Sequence, residues 1–299
     1  MHHIESVTLD ELECWHFQHG QAQLLIAKQG AQVLSYQIGD EPPIIWLNEK
    51  AQYKAGKGIR TGVPVCWPWF GNFERNPQSV KAMRQSDEPA TAHGLVRTRE
   101  WEVLEIDDAG EALHIELGLP HIEGGLPGWP HDVALTLSIR LDTQLHISLT
   151  SHNRSDIPVS ISQALHSYFA VSDVRKVHVE GLDALTYIDT LQDWKQIRQN
   201  GDLTFSGETD RIYLDAPQQL SIVDPDWHRS LQLTSRGSRT AVIWNPWIER
   251  ARQFDDMADD GWQRMLCIET ANVMDDVITL EPGASHTLGV SIASKRLKP

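Results

Sequence analysis

Two residues stand out by type and setting as carriers of proton chemistry. His166 lies in PVSISQALHSYFAVS, residues 158–172. Read with period-2 alternation, one face of this strand carries Val159, Ile161, Leu165, Phe169 and Val171. The other carries Ser160, Ser162, Ala164, His166, Tyr168 and Ala170, a surface that suits a wet, concave sheet. Glu269 lies in MLCIETANV and shares its face with Cys267 and Ala271. A carboxylate in an apolar strand is partly desolvated, which raises its pKa and makes it a better base near neutrality. Each residue also has a plainer role open to it. His166 could be a structural hydrogen-bonder, and Glu269 could pair with an arginine across the sheet.

A second group consists of arginines held by stiff segments. In GIRTGVPVCWPWFG (58–71), Arg60 stands alone among glycines, prolines and tryptophans. Pro64 and Pro68 remove backbone donors, and Gly58, Gly62 and Gly71 permit sharp turns. AHGLVRTREW (92–101) places Arg97 four residues after His93, where a strand is expected to begin. Brought together, Arg60 and Arg97 would make a bidentate clamp for a phosphate or carboxylate; apart, they would be ordinary solvated charges. In GETDRIYLD (207–215), Asp210 precedes an alternating strand, where an aspartate commonly caps a turn.

The bulk composition narrows what these groups can act on. Among 299 residues, 41 acids against 26 Lys plus Arg give a net charge of −15, which argues against nucleic acid or an anionic membrane as partner. An anionic small substrate would need a local cationic pocket against that field. No apolar run approaches the roughly 18 residues of a membrane span. The N-terminus MHHIESVTLDELE lacks an export pattern, and Cys14, Cys66 and Cys267 form no CxxC. A reduced, cytoplasmic protein with buried thiols is expected. GxGxxG, P-loop, HExxH, EF-hand and GxSxG patterns do not occur, and the fourteen histidines are dispersed. No cofactor and no metal site are therefore expected. Asn153-Arg154-Ser155 matches a glycosylation sequon but means nothing without secretion.

These groups must be positioned by strands. Period-2 runs at 113–119, 133–141, 145–151, 158–172, 177–182, 219–224, 231–235, 240–245, 265–271 and 286–294 are separated by turn residues such as Asp107-Asp108-Ala109-Gly110 and Glu281-Pro282-Gly283. A helical turn or two is expected only around 193–198. No repeat or linker appears, so one antiparallel β-sandwich domain spanning 1–299 is expected, with 50–92 as its longest loop region. Eleven tryptophans suit core packing or stacking on sugar rings.

Taken together, IRTGVPVCWPWFG, HGLVRTREW, LHSYF, ETDRIY, VIWNPW and CIETANV resemble the aldose 1-epimerase (mutarotase) superfamily. Within it the likeness is to the hexose-6-phosphate mutarotases, also called glucose-6-phosphate 1-epimerases. The resemblance implies an all-β, galactose mutarotase-like sandwich. It implies interconversion of the α and β anomers of a hexose 6-phosphate, with His166 as general acid and Glu269 as general base. It further implies Asp210 on sugar hydroxyls, Arg60 and Arg97 at the phosphate, and His93 near the ring. Where some relatives carry Gln before the HG pair, this chain has Ala92. The expected partner is a small sugar phosphate bound by a monomer. A neighbouring carboxylate is expected to raise the pKa of His166. A mutarotase for unphosphorylated aldoses and a non-catalytic sugar-binding module are the alternatives, with a polysaccharide lyase or hydrolase a more distant one.

Overall fold

Alternation in the sequence becomes alternation in burial in the structure, a computed structural model describing residues 2–108 and 110–297. In Leu145–Asn153 every second residue is buried. That strand sits inside a nine-stranded sheet ordered Leu203–Thr204, His178–Glu180, Gln219–Asp224, Arg229–Arg236, Ser285–Arg296, Leu145–Asn153, Val133–Leu141, Leu113–Gly118, Glu102–Asp107. An eight-stranded sheet faces it. Its order is Lys195–Arg198, Thr186–Asp189, Thr209–Tyr213, Thr240–Asn245, Met265–Asn272, Gln163–Leu165, Val65–Cys66, and Tyr168–Ala170 also pairs with Met265–Asn272. All pairings in both sheets are antiparallel. The core between them joins Leu137, Ile147 and Ile292 of one sheet to Phe169, Ile243 and Ile268 of the other. The fold is a large antiparallel β-sandwich, and each buried Leu, Ile or Phe contributes about 1.5–3 kcal/mol to it.

A four-stranded meander, His2–Leu9, Leu12–His19, Ala22–Ala27 and Gln32–Ile38, adds Phe17, Leu24 and Ile26 to the same core. The 58–71 segment crosses this meander at Gly62 (φ 66°), where a Cβ would lie 1.9 Å from the Val33 carbonyl oxygen, so only glycine fits. Gln32 donates to the carbonyls of Ile59 and Thr61, and Asn48 donates to that of Arg60. The backbone under Arg60 is thus fixed by buried amides.

Several expectations need correction. The 158–172 run is three short strands, Val159–Ile161, Gln163–Leu165 and Tyr168–Ala170. It is interrupted where the Ser162 N–H donates to Pro68 O and the His166 N–H to Pro64 O. The 193–198 stretch is not helical; Lys195–Arg198 pairs with Thr186–Asp189, and Asp193 and Trp194 turn the chain with positive φ. Arg97 stands in a turn, and the strand begins later, at Glu102. Asn153 is fully buried, donating to Ile157 O and Leu280 O, so the sequon is inaccessible. Cys14, Cys66 and Cys267 are free and buried. Ala109 of the expected 107–110 turn lies outside the described residues.

Candidate active site

Strand register brings the proton-carrying pair together. Leu165 pairs with Thr270, and Tyr168 with Cys267. The same register continued between them sets His166 opposite Glu269, with His166 Nε2 3.3 Å from Glu269 Oε1. On the far side of Met265–Asn272, Val242 opposes Glu269 and Trp244 opposes Cys267, and Asp210 in turn opposes Trp244. Two neighbouring rows therefore share one sheet face. One runs His166, Glu269, Val242, Ile212; the other runs Tyr168, Cys267, Trp244, Asp210. Val242 and Ile212 join Ala164 and Ala271 in a small apolar floor, with Phe70 and Trp194 packed against it.

This face is not the wet surface expected from the sequence. Met265–Asn272 is buried at every position, because one side meets the core and the other is covered by loops. The His166 side chain keeps 11% of its surface exposed and that of Glu269 only 2%. Aromatic rings ring the opening. Tyr168 stacks on His166 at 4.9 Å and 14°. His93 meets it edge-on at 5.4 Å, Phe70 lies at 6.4 Å, and Trp244 closes the other side at 6.4 Å.

The loops supply the remaining groups. His93 sits at φ 62° beside Gly94, whose missing Cβ would fall 2.0 Å from the Trp67 carbonyl oxygen. The Gly71 N–H donates to His93 Nδ1, so the proton of the neutral ring is on Nε2. Burial, reinforced by Arg97 and Arg60, pushes the His93 imidazole down to about 3. Arg97 packs its guanidinium on the bare Cα of Gly58, two residues from Arg60, and donates to Ala92 O. It forms no ion pair among the described residues. Arg60 does: its Nε lies 3.2 Å from Asp256 Oδ1, and its guanidinium lies 3.8 Å from the centre of the Phe254 ring. Burial works against the Arg60 charge, but Tyr168 and Asp256 outweigh it. Both guanidinium groups lie close enough to His93 and His166 to lower their pKa values, and Asp210 shares the sheet face of His166 and Glu269 through Trp244 and Cys267.

Burial also disfavours charge on the central pair. It holds His166 well below 6.5, with His93, Arg97 and Arg60 adding to the effect. It holds Glu269 well above 4.5, with Asp210 adding. The expected rise at His166 is thereby corrected: desolvation, His93, Arg97 and Arg60 lower it, and a backbone hydrogen bond is what opposes them. Asp210 is itself raised by burial, and the Thr190 hydroxyl opposes that shift. Tyr168, Trp244, Phe254 and Asp256 were not singled out as site residues from sequence. Tyr168 and Trp244 were legible as same-face neighbours; Phe254 and Asp256 lie in an irregular loop that carries no signal.

The chain is thus a large antiparallel sandwich with an imidazole and a carboxylate opposed on one buried face and ringed by aromatic side chains. The sequence profile described as Aldose 1-epimerase matches residues 13–293, and the chain belongs to that family of isomerases. A relative from Escherichia coli (strain K12), provisionally named glucose-6-phosphate 1-epimerase, is 32% identical over 290 residues, covering 96% of this chain and 92% of its own. One of the same provisional name from Cenchrus ciliaris is 34% identical, covering 85% of this chain and 76% of its own. The crystal structure of a provisionally named mutarotase, YeaD, from Salmonella typhimurium superposes with a TM-score of 0.87 at 28% identity, over 98% of this chain and 94% of that one.

Proposed function

We propose that the protein interconverts the α and β anomers of a hexose 6-phosphate, glucose 6-phosphate first among them. The observation that carries this is the 3.3 Å approach of His166 Nε2 to Glu269 Oε1, with the Arg97 guanidinium packed on Gly58, two residues from Arg60. The provisional names of the relatives point to the same substrate.

Ring opening requires a proton taken from the C1 hydroxyl and one delivered to the ring oxygen. Carboxylate Glu269 takes the first and imidazolium His166 gives the second. The pair thereby passes from an ion pair to two neutral groups, which is the direction its burial favours. After rotation about C1–C2, neutral Glu269 protonates the aldehyde oxygen and His166 reclaims the proton of the C5 hydroxyl. The pair holds one proton at the start and at the end, and no covalent intermediate forms. A phosphate dianion beside Arg60 and Arg97 offsets the part of the His166 depression that the two guanidinium groups cause; burial and His93, the larger causes, remain.

Asp210 is placed to accept from sugar hydroxyls, and Val242, Ile212 and Trp244 to receive an apolar ring face. Arg97, with no competing carboxylate, is the primary phosphate ligand, and Arg60, pre-ordered by Asp256 and Phe254, is the second. The test is saturation transfer between α- and β-glucose 6-phosphate at catalytic enzyme concentration. Transfer well above the buffer rate, and above that for glucose, supports the reading. Binding without transfer would instead mean a sugar-binding module.

A further inference from the structure

The acid–base pair has a third neighbour that the proposed reaction does not use. His166, Cys267 and Glu269 each place one ligating atom within 4.8 Å of the other two, and all three are buried. We propose that these side chains form a binding site for a thiophilic divalent cation of the zinc class, and that its occupation is incompatible with anomer exchange. The site stands on donor geometry alone; its effect on turnover rests on the acid–base reading above.

The donor set selects the ion. One sulfur, one imidazole nitrogen and one carboxylate oxygen suit zinc or its neighbours, whereas magnesium and calcium take oxygen ligands. Bonds of about 2.0–2.3 Å set tetrahedral donors about 3.5 Å apart, so only small side-chain movements close the site. The second Glu269 oxygen, Oε2, is buried without any hydrogen-bond partner. An unpaired carboxylate oxygen at such depth is costly, and a cation would relieve it. Cys267 lies on the same strand face two residues away, in register with Tyr168 and Trp244. The exposed edge of His166 provides the entry.

Charge balance favours the buried complex. A thiolate and a carboxylate carry two negative charges, which a divalent ion neutralises, and His166 binds as neutral imidazole. Binding expels two protons, one from the thiol and the one held by the pair, so affinity rises with pH. The ion occupies both proton-carrying groups, and exchange stops.

Cobalt(II) is the probe, titrated into the full chain and followed by absorption. The expected result is a thiolate-to-cobalt charge-transfer band in wild type that is lost in Cys267→Ser. Zinc should inhibit wild type, chelation should restore it, and Cys267→Ser should keep basal turnover while losing sensitivity by at least ~10-fold. Cys267→Ala is the second thiol-free variant should the first fold poorly. Absence of the band in wild type, or equal zinc sensitivity in both thiol-free variants, overturns the site. The band without inhibition keeps the site and rejects its coupling to turnover.

Discussion

His166 and Glu269 oppose each other across adjacent antiparallel strands, Nε2 to Oε1 at 3.3 Å, although 103 positions separate them in the chain. Their burial disfavours charge on both groups and so favours the state in which the pair shares a single proton. A second proton must go onto His166, whose affinity is depressed; loss of the only one must come from Glu269, whose affinity is raised.

The pH profile follows from those directions. The active one-proton state ends on the acid side when His166 is protonated well below 6.5, and on the alkaline side when Glu269 ionises well above 4.5. Plotted against pH, kcat/KM of the free enzyme should therefore have its acid limb below the ordinary histidine value and its alkaline limb above the ordinary carboxylate value. Its limits belong to the pair rather than to either residue. A narrow bell confined between 4.5 and 6.5 would mean that the groups are not desolvated.

The arginines predict a split by substrate. Arg97→Met should raise KM for glucose 6-phosphate by ~10-fold or more, since a charge-assisted hydrogen bond is worth about 1.5–3 kcal/mol, while glucose is little affected. Arg60→Met should show the same preference with a smaller loss, because Asp256 already engages its Nε. Steady-state rates on both sugars decide it; equal losses on the two would remove the phosphate role.

Asp210 shares the sheet face of the pair, in the neighbouring row and opposite Trp244. Asp210→Asn keeps the shape and removes the charged acceptor. It should lower kcat/KM by ~10–100-fold with the same thermal midpoint. Wild-type kinetics in this variant would place the sugar elsewhere.

Acid stability tests His93. Between 6.5 and about 3 the unfolded chain binds a proton that the folded one refuses, so stability falls as pH falls through that window. His166, also depressed, adds in the same sense; Glu269, raised, acts oppositely, losing stability as pH rises above 4.5. His93→Asn, which tolerates the positive φ at this position, should flatten the urea-unfolding free energy over the acid window. An unchanged slope would show that His93 is protonated in the folded state.

The sandwich was legible because its strands alternate cleanly, and the face assignments of His166 and Glu269 needed nothing beyond period 2. The break at Ser162 was not legible, since it depends on a carbonyl from Pro68, 94 positions away. Burial of the site face was hidden for the same reason: Ser162 and Ala164 look solvent-facing until Phe70 arrives from a loop, its N–H donating to Ser162 Oγ and its ring packing on the cluster around Ala164. The Asp193-Trp194 turn masqueraded as a helix because its polar composition fits either. Of the N-terminal meander only the stretch holding His16 and His19 reads as strand-like, because Cys14 and Trp15 are buried side by side and break the alternation of LECWHFQH.

The central claim is that one imidazole and one carboxylate relay a proton through the sugar. Two-dimensional NMR exchange between the anomers of glucose 6-phosphate measures this directly in wild type, His166→Ala and Glu269→Gln. The account predicts rapid enzyme-dependent exchange in wild type and a fall of at least ~10² in either variant with the fold intact. Exchange retained within a few-fold of wild type in a folded Glu269→Gln or His166→Ala protein would contradict it.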